Sequence, residues 1–278
     1  MNLASSSILV RPCRGLEELS ACVELQVDVW GYVDRDVVPR RTFIVGQRIG
    51  GQVIGAFDTA PPGVNPEGEP GSLVGFAMAL PGISGGRPYL HSYMLAVNPD
   101  YRNQGIGRRI KLFQREEALA RGIGRMEWTF DPLEIKNSFL NIAKLGAVVR
   151  RYAPNFYGVT SSRLHGQVPT DRLYAEWWLE SDWVCSALGG KPVAFPAVEQ
   201  EISVPHQIAH WRHSPLHQER VLDIQSRNRE HFEQAFARQL AVIGFRIDPA
   251  GNGIFQLGHW QEPSGSLHSL QPVSDRFA

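Results

Sequence analysis

The chain has 278 residues, 43% of them hydrophobic and 20% charged, with 28 basic residues balancing 28 acidic ones. That length suits one core with an appendage, and the zero net charge gives no bulk field to draw in nucleic acid or anionic lipid. Only three cysteines occur, Cys13, Cys22 and Cys185, without metal spacing or a disulfide framework. Together with the lack of a signal peptide and of any spanning apolar run, they lead us to expect a cytoplasmic protein that binds neither membrane nor nucleic acid.

In chain order, Ile8–Arg14 reads as a strand. Gly15–Gly31 reads as a helix with Leu16, Leu19, Val23, Val27 and Trp30 at helical spacing and Gly31 as its C-cap. A second helix is expected over Pro39–Arg48, then strands over Gln52–Asp58 and Ser72–Pro81. The Pro/Gly-rich Ala60–Gly71 lies between these strands as a hairpin tip. Pro88–Pro99 is a long strand, followed by a glycine loop and a helix from about Gln104 to Arg121 with Ile106, Ile110, Phe113 and Ala120 on one stripe. Arg125–Asp131, Ala147–Tyr152 and Arg172–Leu179 read as strands, and Leu133–Leu145 as one helix closed by Gly146.

The alternation predicts a mixed α/β core over residues 1–180. Residues 181–205, rich in Gly and Pro, read as a connector. Residues 206–262 read as a small helix–hairpin unit: a long helix from about 215 to 240, then Val242–Asp248 and Gly253–Trp260. Residues 263–278, polar throughout, are expected to form a disordered tail. Such a small unit has too little apolar surface to stand alone and should dock on the core, with Trp177, Trp178, Trp183 and Trp211 near the junction. It would either wall an acceptor pocket or extend a homodimer.

The chemistry is concentrated in Leu95-Ala-Val-Asn-Pro-Asp-Tyr-Arg-Asn-Gln-Gly-Ile-Gly-Arg-Arg. A strand enters a turn at Asn98-Pro99-Asp100 and then an Arg102-x-x-Gly105-x-Gly107 run that opens a helix. Helix N-termini leave backbone N–H groups unpaired and carry partial positive charge. Glycines there let the main chain approach an anion, and Arg102, with Arg108 and Arg109 nearby, adds charge-assisted donors. The segment is a candidate pyrophosphate cradle. A P-loop is excluded by the missing Gly-Lys-Ser/Thr, and a dinucleotide fingerprint by Ile110 at the third glycine.

Val97-x-Pro99-x-x-Arg102-x-x-Gly105-x-Gly107 resembles the acyl-CoA motif of the GNAT (GCN5-related N-acetyltransferase) superfamily over roughly residues 8–180. Trp128-Thr-Phe-Asp-Pro-Leu with Asn137, Asn141 and Lys144-Leu-Gly-Ala resembles a branch of predicted acetyltransferases with a C-terminal extension. The resemblance implies a central, mostly antiparallel sheet flanked by helices, in which the pantetheine arm inserts beside a splayed strand. It implies that main-chain groups of Leu95, Ala96 and Val97 bond the pantetheine and polarise the thioester. Backbone N–H groups of Arg102, Asn103, Gln104, Gly105, Ile106, Gly107 and Arg108 would hold the pyrophosphate, and Asn137 would bond the pantetheine. The activity implied is acyl transfer to a small-molecule amine by direct attack in a ternary complex, from acetyl-CoA or another acyl-CoA such as succinyl-CoA, with no metal. Preorganised donors at an oxyanion are worth roughly 2.7–4 kcal/mol each. A degenerate acyl-CoA sensor and a protein-modifying acyltransferase are the alternatives.

For proton removal, strand alternation is expected to put His91, Tyr93, Leu95 and Val97 on one face, making His91 and Tyr93 the acid–base candidates. Glu127 is a reserve base; Asp131 reads as a helix cap. The family's thiolate-protonating tyrosine falls at Ile142 here, which leans toward the sensor, while His91 and the intact cradle argue against it; Tyr152, Tyr157 or free solvent would take its place, the two tyrosines otherwise being ordinary packing. His206, His210, His213 and His217 share helical spacing, but Pro215 intervenes and no carboxylate accompanies them, so a solvated face is expected. Gly82-Ile-Ser-Gly-Gly lacks the nucleophile-elbow spacing.

Overall fold

A computed structural model describes residues 7–33, 35–59, 72–158 and 168–263. The hairpin tip expected at Ala60–Gly71 and nearly all of the expected tail lie outside the described residues. Two compact units are distinguished: residues 1–80, 92–122 and 157–170 form the first, and residues 81–91, 123–156 and 171–278 the second. The 1–180 core read from the sequence thus contributes to both.

The first unit contains β1 (Ile8–Pro12), α1 (Gly15–Trp30), α2 (Arg40–Arg48) and β2 (Gln52–Asp58), most of β3 (Ser72–Ser84), the C-terminal half of β4 (Arg87–Val97), and α3 (Ile106–Ala120). Its strands are ordered β1-β2-β3-β4, and β1–β2 and β2–β3 pair antiparallel. Helix α1 stops where Gly31 turns left-handed at φ 65° and returns its N–H to Val27 at 2.8 Å. Two apolar clusters flank the sheet. Leu19, Cys22, Leu25 and Phe43 from α1 and α2 pack with Phe57, Phe76, Met78, Met94 and Ala96. Ile106, Ile110 and Phe113 of α3 pack with Ile54, Val74, Leu95 and Val97 on the other side. Cys13 and Cys22 are free, buried neighbours in the first cluster.

The α3 stripe differs from expectation. Lys111, Gln114 and Ala118 are buried, whereas Ala120 is exposed. Lys111 Nζ donates to Ser92 Oγ at 2.7 Å, and Ser92 Oγ bonds Gln114 Oε1 at 3.3 Å. Ser92 therefore faces α3 together with Leu95 and Val97, while Met94 and Ala96 face α1 and α2. Strict alternation would put Ser92 with Met94, so the phase slips by one residue between Ser92 and Leu95. The single face expected to carry His91, Tyr93, Leu95 and Val97 does not run the length of β4.

The second unit has strand order β4-β5-β7-β6-β9-β10-β8, built from the N-terminal half of β4, β5 (Arg125–Phe130), β6 (Val148–Ala153), β7 (Arg172–Trp178), β8 (Gln200–Val204), β9 (Leu240–Ile247) and β10 (Gly253–His259). Among the described residues of this unit β4–β5 pairs in parallel, through Leu90↔Met126 and His91↔Glu127, and the β5–β7, β6–β7, β6–β9, β9–β10 and β8–β10 ladders are antiparallel. Its helices are α4 (Ile135–Ser138), α5 (Asp182–Ala187), α6 (Ile208–Trp211) and α7 (Gln218–Ala237).

Three sequence expectations are corrected in this unit. The single helix over Leu133–Leu145 is α4 followed by a π-helical stretch at Phe139–Lys144, in which Leu145 N–H reaches Leu140 O. The extra residue per turn turns Asn141 inward, where it is buried and donates to Asn137 Oδ1 at 3.2 Å. The connector contains α5 and β8, strand pairing having overridden its Pro/Gly composition. The helix–hairpin has a third strand, and β9 pairs with β6 at Val149↔Val242, so the C-terminal segment continues the sheet. Phe232 of α7 packs on Tyr152 and Phe255.

Candidate active site

The cradle lies wholly in the first unit. At the end of β4, Asn98 N–H bonds Val74 O at 2.8 Å, and Asn98 Oδ1 accepts from Asp100 N–H at 3.0 Å. A 3₁₀ turn at Pro99–Tyr101 follows. Tyr101 Oη donates to Asp58 Oδ2 at 2.8 Å, fastening the turn to β2. Asn103 (φ 62°) and Gly105 (φ 77°) are both left-handed. An added Cβ at Gly105 would meet nothing within 4 Å, so glycine is required there by the backbone rather than by crowding. Left-handed residues alternating with others are the backbone pattern from which anion nests are built.

Helix α3 begins at Ile106 with no side-chain cap and no acidic residue in its first turn. Arg109 N–H is the first to find an intrahelical carbonyl, on Gly105 at 3.0 Å. The N–H groups before it carry the helix's positive end, and the first turn holds no carboxylate to compete for it. Arg102, Asn103 and Gln104 are exposed, Gly107 and Arg108 half-buried, and Ile106 is buried as the anchor. Arg102 Nε donates to Val97 O at 3.3 Å, which holds the guanidinium across the loop. Arg109, by contrast, donates to Ile8 O at 2.5 Å and is a structural tie to β1. Leu95 and Val97 pack toward α3, and Ala96 toward the opposite cluster.

Of the acid–base candidates, Tyr93 lies in the first unit and is partly exposed. Burial, and then the nearby Tyr157, push its pKa up. Tyr157 is partly exposed, with its N–H on Thr170 Oγ1 at 2.9 Å. His91 lies in the second unit, level with Glu127 on the adjacent strand. Glu127 is buried between Arg125 (3.1 Å) and Arg151 (3.2 Å), an ion-paired setting rather than that of a free base.

Tyr152 does not have the surroundings of a proton donor. Its hydroxyl donates to buried Asp171 at 2.6 Å, and burial followed by that bond drives its pKa up. Asn137 is exposed and Ile142 buried. Asp131 accepts Leu133 N–H at 2.8 Å, as a cap would, and also pairs with Arg212 at 3.0 Å. Among the described residues no group of three or more His, Cys, Asp or Glu is placed to hold a metal, and no helix is long and apolar enough to cross a membrane.

Sequence reasoning missed the ionic face around Glu127. Arg125, Glu127, Tyr174, Glu176 and Trp178 fall at every second position of two strands, a period-two signal that was there to be read.

Comparison with solved structures finds the ribosomal-protein-S18-alanine N-acetyltransferase of Escherichia coli, with TM-score 0.47, 15% identity, and coverage of 68% of this chain and 99% of that one. An N-acetyltransferase of Staphylococcus aureus Mu50 gives TM-score 0.47 and 18% identity over 63% and 100% of the two chains. yncA of Salmonella typhimurium, solved with its cofactor acetyl-CoA, gives TM-score 0.47 and 18% identity over 64% and 98%. No curated protein sequence matches the chain. Residues 34–137, which span the strand, the loop and α3, match the model of the acetyltransferase (GNAT) family.

Proposed function

We propose that the chain is an acyl-CoA-dependent N-acyltransferase acting on a small-molecule amine, with acetyl-CoA as the default donor. The observation that carries this reading is the nest at Asn103 and Gly105 running into the uncapped, acid-free start of α3. In this reading the N–H groups from Arg102 to Arg108 hold the pyrophosphate, and the main chain of Leu95–Val97 holds the pantetheine and polarises the thioester carbonyl.

The amine, bound as an ammonium ion, loses a proton to His91, directly or through water. Its lone pair then forms the C–N bond to the thioester carbon. Collapse of the tetrahedral oxyanion breaks the C–S bond, and the electron pair leaves on sulfur. Tyr157 or Tyr93 supplies a proton to that thiolate, the newly bonded nitrogen gives up its second proton through water to the tyrosinate so formed, and CoA departs as the thiol.

Calorimetry with CoA and thiol release from acetyl- and succinyl-CoA over an amine panel test the reading. Micromolar CoA affinity with amine-dependent thiol release is expected, and His91→Ala should lower kcat more than it changes KM for acetyl-CoA. Absence of CoA affinity would overturn the reading, and binding without release on any amine would make the domain a sensor. Cytoplasmic location and a homodimer belong to the same proposal.

A further inference from the structure

The buried side of α3 carries two polar residues, Lys111 and Gln114, beside the apolar Ile106 and Ile110. Both meet one atom of β4. Ser92 Oγ accepts from Lys111 Nζ at 2.7 Å and donates to Gln114 Oε1 at 3.3 Å. The Gln114 carbonyl accepts Gln52 Nε2 of β2 at 2.9 Å, so β4, α3 and β2 are joined by polar contacts. All of these residues belong to the first unit, as do Leu95–Val97 and the cradle.

Alternation counted back from Met94 and Ala96 would turn Ser92 into the apolar cluster of Cys22, Phe43 and Phe76. A hydroxyl fits poorly there, whereas toward α3 both its donor and its acceptor are used. The polar tie thus sets the side on which Ser92 stands, and the strand slips one residue before Leu95 to accommodate it. Such irregularities disrupt the ladder locally, bend the strand and recur beside active sites. Past the slip the strand is pinned again. Asn98 N–H bonds Val74 O at 2.8 Å, and a Cβ added at Gly75 would lie only 3.0 Å from Ala96 O. With the segment held at both ends, the phase at Ser92 decides where the main chain of Leu95–Val97 points.

We propose that Lys111 and Ser92 are positioning residues: through the phase of β4 they aim the main chain of Leu95–Val97 at the pantetheine arm and the thioester carbonyl. The inference rests on the acyltransferase reading. Neither side chain needs to touch the coenzyme; both act through the backbone they place. Burial lowers the Lys111 pKa to about 7, so an apolar side chain of similar length would be more stable in its place. A local choice that opposes stability in this way is what a functional role predicts.

Calorimetry on the full chain compares CoA with its phosphoadenosine diphosphate half, which carries the pyrophosphate and lacks pantetheine. Thiol release from acetyl-CoA gives kcat and KM for the same variants. Ser92→Val should weaken CoA binding by about tenfold, leave the Kd of the half-molecule unchanged and lower kcat by about tenfold or more. Ser92→Thr, which matches valine in shape and keeps the hydroxyl, should stay close to wild type. Lys111→Met should repeat the Ser92→Val pattern in a protein that melts no lower than wild type near neutral pH, a combination that a merely structural role would not give. It also decides the matter if Ser92→Val does not fold. An unchanged CoA Kd and kcat in folded Ser92→Val or Lys111→Met, equal losses for CoA and the half-molecule, or Ser92→Thr no better than Ser92→Val would overturn the proposal. A wild type that binds neither CoA nor the half-molecule would instead overturn the acyltransferase reading, so the two failures are distinguishable.

Discussion

Lys111 donates to Ser92 Oγ at 2.7 Å inside the first unit, and burial pushes its pKa down from 10.5 to about 7. The ammonium form is what burial penalises, so this lysine opposes folding wherever the unfolded chain would be protonated. Above about pH 10.5 both states are neutral and the cost vanishes. As pH falls toward about 7 the unfolded state alone gains the proton, and stability declines until the folded lysine is protonated too. Lys111→Met should therefore raise the melting temperature most near neutral pH and progressively less as pH approaches 10. The gain is bounded by about 5 kcal/mol, at 1.36 kcal/mol per pKa unit. Thermal melts of both proteins across pH 6–10 check this; a gain that does not vary with pH would contradict it.

The cradle makes a sharper demand on one backbone position. Gly105 sits at φ 77° with open space where a Cβ would go. Gly105→Ala should cost about 1–2 kcal/mol through left-handed strain alone. It should weaken CoA binding by about tenfold as the loop relaxes and its N–H groups turn away. Gly105→Asn, a residue that tolerates this region, should recover most of both losses. Calorimetry and thermal melts of the two variants give the comparison. Equal CoA affinity in wild type and Gly105→Ala would mean that the nest does not grip the coenzyme.

Tyr152 and Tyr157 looked interchangeable as thiolate-protonating groups when only their positions were known. Tyr152 is committed to Asp171, so Tyr152→Phe should lower stability by about 1–3 kcal/mol and leave kcat and its pH profile unchanged. Tyr157→Phe and Tyr93→Phe should do the reverse, slowing turnover with little change in melting temperature. Stopped-flow thiol release as a function of pH separates the two classes.

These contrasts show where the sequence was readable. Gly31 ended α1, and the strand, nest and helix around Gly105 stood where the glycine spacing put them, because local backbone chemistry decides such features. The slip in β4 was hidden, since Ser92 turns toward α3 to meet Lys111 and Gln114, nineteen and twenty-two residues away. The π-helical stretch was hidden for a similar reason. Its apolar residues satisfy a 3.6 period well enough, and only the docking of Leu145 O against Trp177 Nε1 at 2.6 Å reveals how the widened turn is held. Strand β8 was masked by prolines around it, its pairing being fixed by β10. For the ionic face around Glu127 the period-two spacing was legible, and the β5–β7 register shows which charges, nearly fifty residues apart, it brings level.

The C-terminal segment is woven into the second unit, and its arginines give the means to test that. Arg229 on α7 forms a forked pair with Asp171, with Nη2 at 2.8 Å from Oδ2 and at 3.0 Å from Oδ1. Asp171 is almost wholly buried and also accepts Tyr152 Oη and Asn155 N–H. Removing one partner of a buried pair strands the other charge, so Arg229→Met should cost about 3–5 kcal/mol. Adding Asp171→Asn should return part of that loss, because the amide needs no counter-charge while it can still accept one hydrogen bond. Denaturant unfolding of the single and double variants measures the coupling. A truncation before residue 190, which removes Arg229, Arg212 and the strands beyond β6, should leave a second unit that does not fold. If the truncated chain instead melted cooperatively at the wild-type temperature, the segment would be an accessory and the strand pairing of β6 with β9 would contribute nothing to stability.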